Sequence, residues 1–130
     1  MEPLRRERLA NGLILEFHDL SNRYFGDYHR LHLEVRCRIP LDENLPPVSD
    51  QPEEILARAR NAFGSHVEFR RELTRMGVAG DDVEQVRARM IDDFMASTGR
   101  YLAGSAFPGQ FVRRKVEEAG KERRFVPKVL

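Results

Sequence analysis

Between residues 28 and 41 apolar and polar positions alternate. His29, Leu31, Leu33, Val35, Cys37, Ile39 and Leu41 fall on one parity, and Tyr28, Arg30, His32, Glu34, Arg36 and Arg38 on the other. Successive strand side chains point to opposite faces, so this predicts a strand with one oily and one charged face in an antiparallel sheet wet on one side. A shorter alternation comes earlier, with Leu13, Leu15 and Phe17 against Ile14, Glu16 and His18, and Asn11-Gly12 supplies a hairpin turn before it. A two-residue loop would put Arg6 and Arg8 on the oily face. A three-residue loop, with Gly12 left-handed, pairs Leu9 with Leu13 and Glu7 with Leu15. It is preferred because it keeps Leu9 inside, although Arg5 and Glu7 then fall on the oily side. The charged segment 5–8 suits an edge strand. Residues 21–27 are expected to connect to the long strand, with Tyr24 or Phe25 folded back onto the sheet. Pairing Phe17 with Leu31, Leu15 with Leu33 and Leu13 with Val35 makes the oily faces coincide.

Residues 40–52 hold four prolines and break the pattern into an extended link. Beyond it the period becomes helical. Asp50 followed by Glu53 has capping-box spacing, with Pro52 in the first turn. Ile55, Leu56, Ala59, Ala62, Phe63, His66, Val67 and Leu73 form a stripe. Gly64-Ser65 interrupts it, leaving open one long helix or two, the single helix being preferred; Gly77 serves as its C-terminal cap. Asp81 to Glu84 repeats the capping spacing before a stripe running from Val83 to Leu102. Phe107-Pro108-Gly109 opens a shorter basic helix to about Ala119. The end of the chain carries apolar Phe125, Val126, Val129 and Leu130.

Strands followed by helices imply an α+β fold. The expectation is a three-stranded antiparallel β-meander packed on one face by three to four α-helices. It forms a single domain over 1–130, with strands over about 4–41, helices over about 50–123 and a tail at 124–130. A chain of 130 residues is one domain by the size prior. The 22 basic and 21 acidic residues nearly balance, so overall charge predicts no polyanion partner. One cysteine, Cys37, lies on the oily face, where it reads as a small buried hydrophobe; with no intramolecular disulfide possible, a cytoplasmic setting is expected. Residues 1–12 lack the apolar run of a signal peptide, and no apolar run is long enough to span a membrane.

Candidate chemistry is sparse. Glu16, His18 and His32 share the charged face and have donor types suited to zinc, but arginines at 30 and 36 would repel a cation. Asp19 and His29 fall opposite one another in the expected register, as a carboxylate orienting a general base would. Arg113, Arg114, Lys115, Lys121, Arg123 and Arg124 give the last thirty residues a basic excess that could neutralise phosphates. There is no phosphate loop, dinucleotide fingerprint or nucleophile elbow, and no cofactor is expected. The helices carry more apolar residues than one small sheet face absorbs, counting Phe69, Met76, Met95, Phe107 and Phe111. That surplus points to a non-catalytic protein–protein interaction or homo-oligomerising module. The alternatives are a nucleic-acid-binding accessory protein using the basic C-terminal helix, and a small enzyme or metal protein using Asp19/His29 or Glu16/His18/His32.

Overall fold

The computed structural model describes residues 2–42, 44 and 48–124, the side chains of 122–124 excepted. Part of the proline-rich link and the apolar residues after 124 lie outside the described residues. The elements are β1 (Arg5–Arg8), β2 (Ile14–Asp19), β3 (Asn22–Phe25), β4 (Tyr28–Pro40), α1 (Glu53–Phe63), β5 (His66–Ala79), α2 (Val83–Ala96), α3 (Thr98–Leu102) and α4 (Phe107–Arg124), with a single 3₁₀ turn at Gly80–Asp82. The fold is α+β: an antiparallel five-stranded sheet with four helices. Two compact units can be distinguished, one of residues 1–38 and 68–104, the other of 39–67 and 105–130.

The first hairpin forms through the three-residue loop. Glu7 pairs with Leu15 and Arg5 with Phe17. Leu9 N donates to Leu13 O at 2.8 Å, and Gly12 takes φ 89°. Leu9 is thereby buried, and Arg5 is relieved by Glu7 and by Asp92 at 3.2 Å.

The next pairing differs from expectation. Phe17 faces Val35 and Leu15 faces Cys37, a shift of four residues along β4. The shift is even, so the oily faces still coincide and Leu15, Phe17, Leu31, Leu33, Val35 and Cys37 are all fully buried. Its cause is local. Residues 21–27 are not a loop: the chain resumes pairing at Asn22, opposite Arg30, in the register that β2 already keeps. The reversal is confined to Gly26-Asp27, with Gly26 at φ 53°. β2 and β3 therefore lie end to end along one side of β4.

The other correction is β5, which occupies residues expected to be helical. α1 ends at Gly64, whose φ of 86° is open to glycine alone without strain. From His66 the chain pairs with β4. Val67 and Phe69 are buried on alternate positions. Gly77, expected as a helix cap, instead sits within the strand at φ 70°, and Val78 beyond it is buried although its parity differs from theirs. This is the behaviour of a bulge, which shifts the side-chain alternation by one. A thirteen-residue β4 leaves a long row of N–H and C=O groups on its second edge. Satisfying them outweighs the weak helical preference of residues 66–76.

In the first unit α2 packs on the oily sheet face, with Phe94 edge-on to Phe17 at 5.8 Å between ring centroids. Its stripe stops at Ser97, whose hydroxyl donates to Asp93 O at 2.9 Å, and a short α3 follows. In the second unit α1 packs against α4. No side chain caps α1: its N-cap is Pro52, and Asp50 accepts from Gln51 instead. Arg60 ties α1 to Leu41 O at 3.0 Å, and α4 runs to Arg124 rather than to Ala119. Among the described residues no helix is long and apolar enough to cross a membrane.

Candidate functional site

The charged sheet face is covered by its own side chains. Arg6 reaches Glu16 at 3.0 Å, and His18 Nε2 lies 3.1 Å from the other Glu16 oxygen. Arg36 pairs with Glu34, and Arg70 with Glu68 at 2.6 Å. His18 is only 5% exposed. The hydrogen bond with His18, then Arg6, holds the Glu16 carboxyl below the usual range against the opposing effect of burial. Arg36, chiefly through its hydrogen bond, does the same for Glu34. Glu16 and His18 are thus brought together, but His32 is not. It sits between Arg30, 3.4 Å from its Nδ1, and Glu72, 3.5 Å from its Nε2. The Glu72 approach is electrostatic rather than a formed hydrogen bond, since Nε2 has no hydrogen-bond partner among the described residues. No group of three or more His, Cys, Asp or Glu is arranged to hold a metal among the described residues.

Asp19 and His29 are not brought together. Asp19 pairs with Leu33, and His29 with Arg23. Asp19 is occupied structurally. Its Oδ1 accepts from Ser21 N at 2.9 Å and its Oδ2 from Arg87 Nη1 at 2.7 Å, while Ser21 Oγ accepts from His32 N at 2.9 Å. These bonds bridge the break between β2 and β3 and hold the first part of α2 to the sheet. Burial pushes the Asp19 carboxyl up, but the Ser21 hydrogen bonds and Arg87 outweigh it and leave it below the usual range. Cys37 is fully buried, and burial, with Glu68 adding, pushes its thiol up to about 12.

Among the described side chains the basic C-terminal residues do not form a clear cationic face. Arg113 donates to Gln51 Oε1 at 3.0 Å. Lys115 lies over the Phe111 ring at 5.4 Å and 3.7 Å from Glu118. Arg114 and Lys121 are exposed, with Glu117 and Glu118 between them. The side chains of Arg123 and Arg124 lie outside the described ones. A hollow between α1 and α4, lined by Arg58, Asn61, Ala62, Val116, Ala119 and Gly120, has a volume of about 70 Å³. That is well below the ~300 Å³ at which ligand pockets begin.

The most unusual surface lies at the far end of the sheet, over residues 22–30 and 70–77. Here the strands are exposed on both faces: every residue of β3 is exposed, and so is most of β5 from Arg70 to Gly77. Phe25 is 73% exposed, Met76 58%, Tyr28 50% and Tyr24 49%. Neither Tyr24 nor Phe25 folds into the core. A bulge between Arg23 and Phe25 sets Phe25 opposite Tyr28, so the two rings share a face with Arg30. The Tyr24 hydroxyl comes within 3.8 Å of where a Cβ on Gly77 would stand, so Tyr24 reaches across the sheet toward β5. The turn is pinned by Gly80 N, which donates to Asp27 O at 2.9 Å. Of the apolar surplus expected on helices, Phe69, Phe107 and Phe111 are buried and Met76, on β5, is exposed. The signal that marks the arm is Gly26-Asp27, a two-residue hairpin turn flanked by aromatics. Set against protein-family models, curated proteins and solved structures, the chain matches none.

Proposed function

We propose that this chain is a non-catalytic protein–protein interaction module, acting in the cytoplasm, whose contact element is the β3–β4–β5 arm. The observation that carries this reading is the exposure of Phe25 and its cross-strand partner Tyr28, with Tyr24 and Met76 also exposed, at one end of the sheet. Tyr, Phe, Met and Arg are the residues enriched in the centres of protein interfaces, where aromatic anchors supply most of the binding energy. Isolated exposed apolar residues are ordinary, but four gathered at one end of a sheet are not. One buried cysteine fits a reducing compartment. The geometry offers less to the other readings: Asp19 and His29 stand apart, and the basic residues of α4 are interleaved with acids.

The test is a photo-crosslinking amino acid placed at position 25 in cells that express the protein. The expected result is one or a few discrete adducts, reduced by competition with unmodified protein. A probe at Phe25 that yields no more adduct than one at Glu117, on the exposed face of α4, would refute the reading.

A further inference from the structure

We infer that His32 is a proton-operated switch at the base of the arm, which exchanges Arg30 for Glu72 as its partner and so sets whether Arg30 is available beside Phe25 and Tyr28. The consequence for binding rests on the module reading above; the exchange itself does not. Tyr28, Arg30 and His32 stand at alternate positions of β4 and share its charged face. The backbone fixes His32 in place: its N–H donates to Ser21 Oγ at 2.9 Å, and its C=O accepts from Leu20 N at 2.7 Å. Its side chain is only 14% exposed, with Arg30 Nη1 3.4 Å from Nδ1 and Glu72 Oε1 3.5 Å from Nε2. A guanidinium only donates, so Nδ1 is the accepting nitrogen and the proton of the neutral ring stands on Nε2. That N–H is buried and has no hydrogen-bond partner among the described residues, a costly arrangement.

A second proton changes both contacts. Nδ1 then carries a hydrogen and accepts nothing, and the imidazolium repels the Arg30 guanidinium. On the other side Nε2–H meets a Glu72 carboxylate of opposite charge, and Glu72, 65% exposed, is free to close the remaining distance. The other charges on this face are already engaged. Glu34, two residues along β4, is held by Arg36; His18, opposite Glu34 on β2, by Glu16; and Arg70 on β5 by Glu68. Leu20 and Asn22, across from the ring, are uncharged, and α2 packs on the opposite, oily face. Histidine is the side chain that ordinarily changes charge between pH 5 and 8. Arg30 stands two residues, about 7 Å, behind Tyr28. Once released, its guanidinium reaches the Phe25–Tyr28 pair and adds positive charge and N–H donors to the surface offered to a partner.

The experiment is long-range proton–nitrogen NMR of the histidine rings from pH 8 to pH 5.5, with the Arg30 Nε, Glu72 carboxyl and Tyr28 ring signals followed in the same samples. At pH 8 the His32 ring is expected with its proton on Nε2. As it takes the second proton, the Arg30, Glu72 and Tyr28 signals are expected to move with it. In Arg30→Met the Tyr28 signals are expected to stay still while the ring still takes its proton. A neutral ring protonated on Nδ1 overturns the switch. So does a ring that takes no second proton down to pH 5.5, or Arg30 and Tyr28 signals that ignore one. Signals resolved by residue keep His18, His29 and His66 from being mistaken for it. For the arm, the photo-crosslinking residue at position 25 is used in lysate buffered at pH 8 and pH 6. The adduct yield is expected to rise about threefold in acid and to stay flat in His32→Gln. If that variant fails a circular-dichroism check of folding, Arg30→Met takes its place. A flat yield in the otherwise unaltered protein, or an equal rise in both, overturns the regulatory role. No adduct at either pH refutes the module reading, and the ring spectra alone then decide the exchange of partners.

Discussion

Asp19 offers the sharpest physical test of the architecture. Its carboxylate accepts from Ser21 N and from the Arg87 guanidinium, and it is only half-buried. Asp19→Asn keeps the size and one accepting oxygen but removes the charge and leaves Arg87 unpaired. A hydrogen bond to a charged group contributes about 1.5–3 kcal/mol, and partial exposure favours the lower part, so a loss of about 1–2 kcal/mol at pH 7 is expected. The pH dependence follows from the depressed carboxyl. A carboxylate whose folded pKa lies below its unfolded value of about 3.9 contributes stability that is fully present above that value. It is lost as pH falls through the folded pKa. Urea unfolding of wild type and Asp19→Asn at pH 7, and at the lowest pH where both fold, measures the gap. The two curves are expected to converge in acid. An equal gap at both pH values, or strict additivity with Arg87→Met in a double-mutant cycle, would refute the role assigned to this pair.

Four further outcomes check other parts of the structure. Gly77→Ala should destabilise by about 1–2 kcal/mol in chemical denaturation, because φ 70° is unfavourable for a residue with a Cβ. Gly120→Ala, inside α4 with open space around the new methyl, should instead stabilise by about 0.5–1 kcal/mol. Cys37, buried with its thiol pushed up to about 12, should not react with a disulfide reagent at pH 8 until guanidinium unfolds the chain; an immediate reaction would contradict its burial. Phe17→Ala, which empties a fully buried site against Phe94, should cost about 3–5 kcal/mol in thermal or urea unfolding.

What the sequence disclosed and what it hid divide along a physical line. The first hairpin was legible because Gly12 and the burial of Leu9 both required the three-residue loop. The oily face of β4 was legible because a period of two over thirteen residues admits no other regular structure. The register of β4 against β2 was not, because shifting by an even number of residues leaves the hydrophobic pattern equally satisfied. Only the turn decides between such registers, and Gly26-Asp27 allowed either a tight reversal or part of a loop. The candidate sites shared that fate: Asp19 meets His29 only in the register that the chain does not adopt.

β5 was hidden for a different reason. Phe69, Leu73 and Met76 sit three and four apart, as on a helix, and the alternation of buried positions changes parity between Phe69 and Val78, with Gly77 at φ 70°. The preference of this segment is settled by what it meets, a long unsatisfied edge of β4 reaching from Asp27 to Leu41. Both terminal hydrogen bonds are in place: Leu41 N donates to Ser65 O at 2.9 Å, and Gly80 N donates to Asp27 O. A strand recruited in this way need not carry an apolar face along its whole length. That is why its outer half is charged and exposed, and why the sheet extends past its core into an arm. The exposed aromatics follow from the same cause. Without β5 the β3–β4 hairpin would be a lone two-stranded ribbon, marginal in water. Paired on its second edge, it is rigid enough to hold Phe25 and Tyr28 away from the core.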